Sequence, residues 1–344
     1  MRNSTCLLQP SLATTVALPV IYSFLFPAGS LGNILTAWIF SRQAPTKRTQ
    51  YIYSANLVTA NLLVCSTMPF LAAYFARGYQ WTYDSGACRI ANHLGTLIIH
   101  VSMYATIIIL CSTALSQFAT LKKSSDTQYS QTANETFYRC VLEKFCQPKF
   151  AKYLCIIIWL TVFCITVLAI AYNVQVESTE EFQRCYCVRV EVGDFSTMIA
   201  ACFATACFFV SFVTVLLAYY SLTRHLSKIQ KNTCIGKRHL IYSTVKRNIL
   251  VIQMILTVCF LPYHIFKPIF YVLRTSNDCP QLNYLVEIKN FLTCLAAAKS
   301  SLDPVINVLS RRRVKKSLYG LFIKSTPEHD KRKPDIFTEE TLEM

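Results

Sequence analysis

Five ionisable side chains stand inside otherwise apolar stretches of this sequence. His264 and Lys267 lie in CFLPYHIFKPIF, and Lys289, Lys299 and Asp303 lie in the run that ends LDPVIN. A charge at the centre of a bilayer costs about 2.5–3.5 kcal/mol on insertion scales, so each such group needs a partner or a wet cavity. Phe260, His264, Lys267 and Tyr271 are spaced i, i+4, i+7, i+11 and share one helical face, while Val258, Leu261, Ile265 and Ile269 form the opposite, apolar one. Lys289, Ala296, Lys299 and Asp303 form a second stripe of the same kind. Two ammonium groups at similar depth, Lys267 and Lys289, repel unless an anion bridges them. The chemistry this suggests is recognition of a small molecule bearing phosphate or carboxylate, with Tyr271 and Phe266 or His264 in aromatic contact.

A competing reading keeps Lys267 structural. It lies about one and a half turns from Pro262 and could extend to lipid headgroups, or pair with Glu177, Glu180, Glu181 or Asp194. Catalysis is not expected, because no nucleophile–base spacing stands out among the five groups. A zinc site at Cys185-Tyr186-Cys187 lacks histidine partners, and no metal or other cofactor is expected.

The elements that must position these residues are long and greasy. The chain has 344 residues, 53% hydrophobic and 15% charged, where a soluble protein carries roughly 25% charged residues. Seven runs are long enough to span a bilayer as helices: 17–40, 51–75, 90–121, 153–173, 195–220, 248–273 and 284–309. The seventh is weakened by its charges. The expected fold is therefore an all-α membrane protein, a seven-helix transmembrane bundle over residues 17–310. Residues 1–16 form an extracellular N-terminus, 311–323 a short cytosolic amphipathic helix and 324–344 a cytosolic tail. No repeated halves of the kind found in transporters are evident.

Orientation follows from the basic residues. Of the 34 Lys and Arg, 25 fall in the segments after spans one, three, five and seven, which assigns that side to the cytosol. The net charge of +16 is thus a topology signal. No aromatic-interleaved basic face accompanies it, so a nucleic-acid partner is not expected. The first residues lack the layout of a cleavable signal peptide, and the first span can act as the insertion signal. Asn3-Ser4-Thr5 is a glycosylation sequon on the outer side, whereas Asn134-Glu135-Thr136 falls inside. Eleven of the 16 cysteines lie in spans or cytosolic segments. The other five, Cys6, Cys88, Cys185, Cys187 and Cys279, lie outside, where most should pair.

Seven short motifs in order complete the pattern: Gly32-Asn33, Asn56–Leu63 (NLVTANLL), Trp81, Trp159, Cys259–Pro262 (CFLP), Leu302–Asn307 (LDPVIN) and SRRRVKKSLYGLF. Through these the chain resembles the rhodopsin-like G-protein-coupled receptors from about residue 15 to 325. Phe260, His264 with Lys267 five residues past Pro262, Lys289 and Pro69 are similar to the nucleotide-receptor (purinergic-like) branch, with the match leaning to one of its orphan receptors. The resemblance implies a plasma-membrane receptor for a nucleotide, nucleotide sugar or lysolipid. It implies a heterotrimeric G protein as cytosolic partner, with arrestin as a further one, and membrane lipid around it. It also implies Cys88–Cys185 and Cys6–Cys279 bridges, with Cys187 left over, and an inner-leaflet helix with Val314, Leu318 and Phe322 on one face. Pro262 becomes a hinge whose inner arm swings outward, although a membrane helix can also simply tolerate a proline. The rim of Arg224, Lys228, Lys246 and Arg247 would meet an acidic partner or anionic lipid, unless these charges report topology alone.

Four departures from the family pattern bear on mechanism. Asn61 replaces the acidic residue expected in the second helix, and Lys299 lies four residues before Asp303, so an i, i+4 pair is expected there and sodium modulation is not. The acid-Arg-aromatic motif closing the third helix reads Ser116-Gln117-Phe118, and glutamine cannot make the charge-assisted contacts of a guanidinium. Asn307 stands where tyrosine is expected, although Tyr219 remains in the fifth helix as its facing partner. These changes permit either ligand-independent signalling or a receptor-like decoy or scaffold with little G-protein coupling.

Overall fold

The computed structural model describes residues 9–43, 49–78, 96–125, 143–177, 195–232, 236–274 and 278–310. Seven long helices occupy them: α1 (Leu18–Gln43), α2 (Thr49–Ala76), α3 (Thr96–Ser125), α4 (Pro148–Glu177), α5 (Phe195–Asn232), α6 (Gly236–Leu273) and α7 (Cys279–Ser310). A wide π-helical turn, Ala13–Ala17, leads into α1. These helices are apolar nearly all round, as buried or lipid-facing helices are. Six are long and apolar enough to cross a membrane by length and composition. The seventh, α7, carries Glu287, Lys289, Lys299 and Asp303.

Helix α1 packs on α2 and α7, α7 on α6, α6 on α5, and α5 on α3, while α3 also reaches α2, α4 and α7. This closes a bundle with α3 at its centre and α4 at its margin. Bilayer-facing chains such as Ile157, Leu160 and Leu168 on α4 are correspondingly exposed. The core runs between α3, α5 and α6, where Ile107, Phe208, Phe212, Tyr219, Phe260 and Tyr263 are buried together.

The short motifs turn out to be joints. Pro304 has no N–H, so the Ser300 carbonyl four residues earlier loses its intrahelical donor. Asn33 supplies one from α1: its Nδ2 donates to the Ser300 oxygen at 2.9 Å. Gly32 permits the approach, since a Cβ there would stand 2.6 Å from the Pro304 ring. Close contact through a small residue is how helices associate in lipid, where the hydrophobic effect between them is absent. Asn56 and Trp159 are likewise partners, the indole Nε1 donating to Asn56 Oδ1 at 2.8 Å to tie α4 to α2.

Several expected features fall outside the described residues: Asn3, Cys6, Trp81, Cys88, Cys185, Cys187, and the amphipathic helix and tail from 311 onward. Cys279 is disulfide-bonded, while every other described cysteine is a free thiol.

Candidate functional site

In α6 the predicted polar face points into the bundle and the predicted lipid face points away. Val258, Ile265 and Ile269 are exposed, whereas Phe260, Tyr263 and His264 are buried. The helix runs unbroken from Gly236 to Leu273 through both Pro262 and Pro268. Lys267 reaches inward, its Nζ 3.4 Å from the Tyr104 hydroxyl of α3. The ammonium also sits 5.9 Å from the centroid of the Tyr104 ring and 5.4 Å from that of Tyr263. Cation–π attraction of this kind is worth about 0.5–2 kcal/mol, so aromatic faces partly replace the lost water. Among the described residues no carboxylate pairs with Lys267.

His264 lies one turn deeper and is wholly buried. Its imidazole stacks on Phe208 of α5 with centroids 3.4 Å apart, and Tyr104 meets it edge-on at 5.6 Å. Nδ1 stands 2.9 Å from the Phe260 carbonyl, so the proton is assigned to that nitrogen. Nε2 is buried with no hydrogen-bond partner. Tyr271 is half-buried against Phe270, with the Arg274 guanidinium 4.7 Å above its ring. On α7, Lys289 is half-buried with its Nζ 5.6 Å from the Phe270 ring.

The structure therefore brings Lys267 and His264 together on Tyr104, with Tyr271 one turn further along α6 and Lys289 across the α6–α7 seam against Phe270. Phe260 does not join them. It lies about 10 Å deeper than Lys267 and about 6 Å deeper than His264, at 1.5 Å per residue, its ring within the packed core beside a void of about 10 Å³ next to Lys299. Phe266 is also displaced from the predicted aromatic role, because one residue along a helix turns a side chain by about 100°. It packs near Phe270 and borders the outer α6–α7 seam. Three partners escaped the sequence reading: Tyr104, Phe208 and Tyr263. Tyr263 was accessible to it, since it precedes Lys267 by one turn; Tyr104 and Phe208 come from other helices and left no periodic trace.

Deeper in the bundle the second pair of charges is closed. Lys299 Nζ bonds Asp303 Oδ2 at 2.5 Å, with both residues buried. Asn61 Nδ2 donates to the same carboxylate oxygen at 2.9 Å and lies 3.1 Å from Asn33 Oδ1. One network thus joins α1, α2 and α7. Lys299 occupies the position beside Asp303 that a free cation would need, and among the described residues no group of His, Cys, Asp and Glu could hold a metal.

Toward the C-terminal end of α3, Ser116 is buried and its carbonyl accepts from Thr120 Oγ1 at 2.8 Å and from Cys146 Sγ at 3.4 Å. Thr49 Oγ1 donates to the Cys146 carbonyl at 2.6 Å, so α2, α3 and the turn before α4 meet here. Gln117 and Phe118 are half-buried. Tyr219 is buried in the α3–α5–α6 core.

Seven long helices, six of them apolar enough to cross a membrane, close around a central α3 with motif residues as interhelical joints, the architecture of a seven-transmembrane bundle. Residues 32–306 match the model of the 7 transmembrane receptor (rhodopsin family), and the chain belongs to that family. Among individual proteins it is 48% identical over 331 residues to the human "Probable G-protein coupled receptor 82", covering 96% of this chain and 98% of that one. The mouse protein of the same name is 49% identical over 326 residues, covering 94% and 99%. The chimpanzee "Probable G-protein coupled receptor 34" is 24% identical over 329 residues, 93% of this chain and 79% of that one. This is a multi-pass membrane receptor rather than an enzyme, with a G protein as the partner its family uses.

Proposed function

We propose that the protein is a plasma-membrane receptor whose N-terminus faces outward and which senses an anionic small molecule of the nucleotide, nucleotide-sugar or lysolipid class. The ligand's phosphate or carboxylate is held between Lys267 and Lys289, with Tyr271 and His264 bordering the site. The observation that supports this best is the direction of Lys267. Its ammonium turns into the bundle, against Tyr104 and Tyr263, instead of toward the headgroups. A lysine that only snorkelled would leave the interior. An anion arriving between α6 and α7 gives the Lys267 ammonium a counter-charge and couples to the helix that contains Pro262. Movement of α6 about that residue, with Asp303 and Asn307 on the neighbouring helix, would carry the signal to the cytosolic face.

The identity of Gln117 supports a second reading, a decoy or scaffold that binds ligand with weak G-protein coupling. Glutamine offers no guanidinium to the partner. A biosensor panel covering each G-protein class separates the two. Under the receptor reading, the parent responds to at least one member of a nucleotide, nucleotide-sugar and lysophospholipid set, and Gln117→Arg changes basal or evoked output. Silence from both parent and Gln117→Arg in every channel leaves the decoy reading standing.

A further inference from the structure

Two buried hydrogen-bonding atoms near Lys267 are left open by the fold. His264 is 0% exposed, and its Nδ1 is committed to the Phe260 carbonyl of its own helix at 2.9 Å. Nε2, at the far end of the ring, is therefore an acceptor, and it has no partner among the described residues. Thr205 of α5 is 7% exposed, and its Oγ1 likewise has no partner among them. Other threonines of the spans are satisfied locally: Thr113, Thr166, Thr214 and Thr257 each donate to the carbonyl four residues earlier at 2.8 Å. Thr205 makes no such bond. An open polar group in a packed interior is costly, so the pair calls for an explanation.

Both atoms belong to one layer of the bundle. Helix α5 ends at Asn232 and α6 begins at Gly236, so the packed pair runs antiparallel, and Phe208 of α5 stacks on the His264 imidazole. Thr205 stands one turn from Phe208 in the direction in which Lys267 stands one turn from His264. Tyr104 ties the layer together, since it meets the imidazole edge-on and takes the Lys267 ammonium at its hydroxyl.

We propose that the anion bound at Lys267 carries a hydroxyl beside its charged group, which enters between α5 and α6, donates to His264 Nε2 and accepts from Thr205 Oγ1. The inference rests on the anion site proposed above and names what selects among anions there. A hydroxyl suits both atoms because it donates and accepts at once. A carbonyl or ether oxygen would leave Nε2 open, and an ammonium would stand beside the cation of Lys267. Lys267 and His264 are three residues apart, about 4.5 Å along the helix, so the hydroxyl belongs a few bonds from the phosphate or carboxylate. Ribose phosphates, sugar phosphates and lysophosphatidate meet that description, whereas fatty acids and fully acylated phosphatidate do not. A site built to bond a hydroxyl rejects the analogue lacking it, because its own buried groups then go unpaired.

The test uses the full chain in nanodiscs and two matched pairs of ligands, uridine diphosphate with its dideoxyribose analogue and oleoyl lysophosphatidate with its deoxy analogue. In at least one pair the hydroxylated member should bind about 10-fold tighter or more. Thr205→Val and His264→Phe, which keep the shape and the stacking, should each narrow that gap to about 2-fold. Equal binding within a pair, with both members lost in Lys267→Ala, overturns the hydroxyl assignment and leaves the anion site standing. Binding of no member, or binding indifferent to Lys267→Ala, overturns both. A second measurement needs no ligand. Thr205→Val removes an unpaired hydroxyl at nearly constant shape, so the melting temperature of the ligand-free receptor should rise by about 2 °C or more. A fall would mean that Thr205 serves the fold, and would end the proposal equally.

Discussion

Two lysines, Lys267 and Lys299, stand on adjoining helices of one bundle and are treated in opposite ways. Lys299 is closed into an ion pair with Asp303 at 2.5 Å, and Asn61 shares the acceptor oxygen. Lys267 has only a long bond to a tyrosine hydroxyl and two ring faces. Charge saturated by its own chain holds the structure together. Charge left short of a counter-ion is available to something that arrives from outside. The proposed recognition role of Lys267 rests on that contrast in contacts.

The largest expected effect comes from the closed pair. Lys299→Ala leaves Asp303 buried without its cation, a loss of about 3–5 kcal/mol for such a pair. Surface expression and thermal unfolding of purified receptor should both fall sharply. Lys299→Met combined with Asp303→Asn should recover much of that stability. Were the single variant as stable as the parent, the network would not be a structural joint.

At the open site the effect should appear in response and spare folding. Lys267→Ala or Lys289→Ala should weaken the potency of an anionic agonist by about 30-fold or more, the scale of truncating one partner of a desolvated charge pair. Surface expression should change little. Loss of expression matching that of Lys299→Ala would erase the distinction between the two lysines.

The smallest effect is an expected constancy. With Lys299 seated beside Asp303, replacing external sodium by N-methylglucamine at fixed ionic strength should leave basal output and melting temperature unchanged. A sodium-dependent shift in either would mean that the lysine leaves its carboxylate in part of the population.

Much of this was legible in the order of residues. The inward face of α6 follows from period alone, and so does the i, i+4 pairing of Lys299 with Asp303. The last helix was blurred because hydropathy adds residues one at a time, whereas Lys299 and Asp303 neutralise each other only once the helix has formed. Tyr104 and Phe208 could not be read, since nothing local to α3 or α5 marks the residue that will meet His264 across the bundle. Phe266 was misplaced by one residue of helical rotation, and Phe260 by depth. The family motifs were visible as patterns; that Asn33 serves the carbonyl Pro304 leaves open became visible only with α1 against α7.

Glu287 accepts from both the Ser11 amide, at 2.6 Å, and the Thr14 hydroxyl, at 3.1 Å, across 276 and 273 residues of sequence. The segment that leads into the first span is thus fastened by a side chain on the last. During synthesis the leading segment must wait, unfastened, until that span enters the bilayer. A chain arrested before Glu287 would leave that segment unlatched.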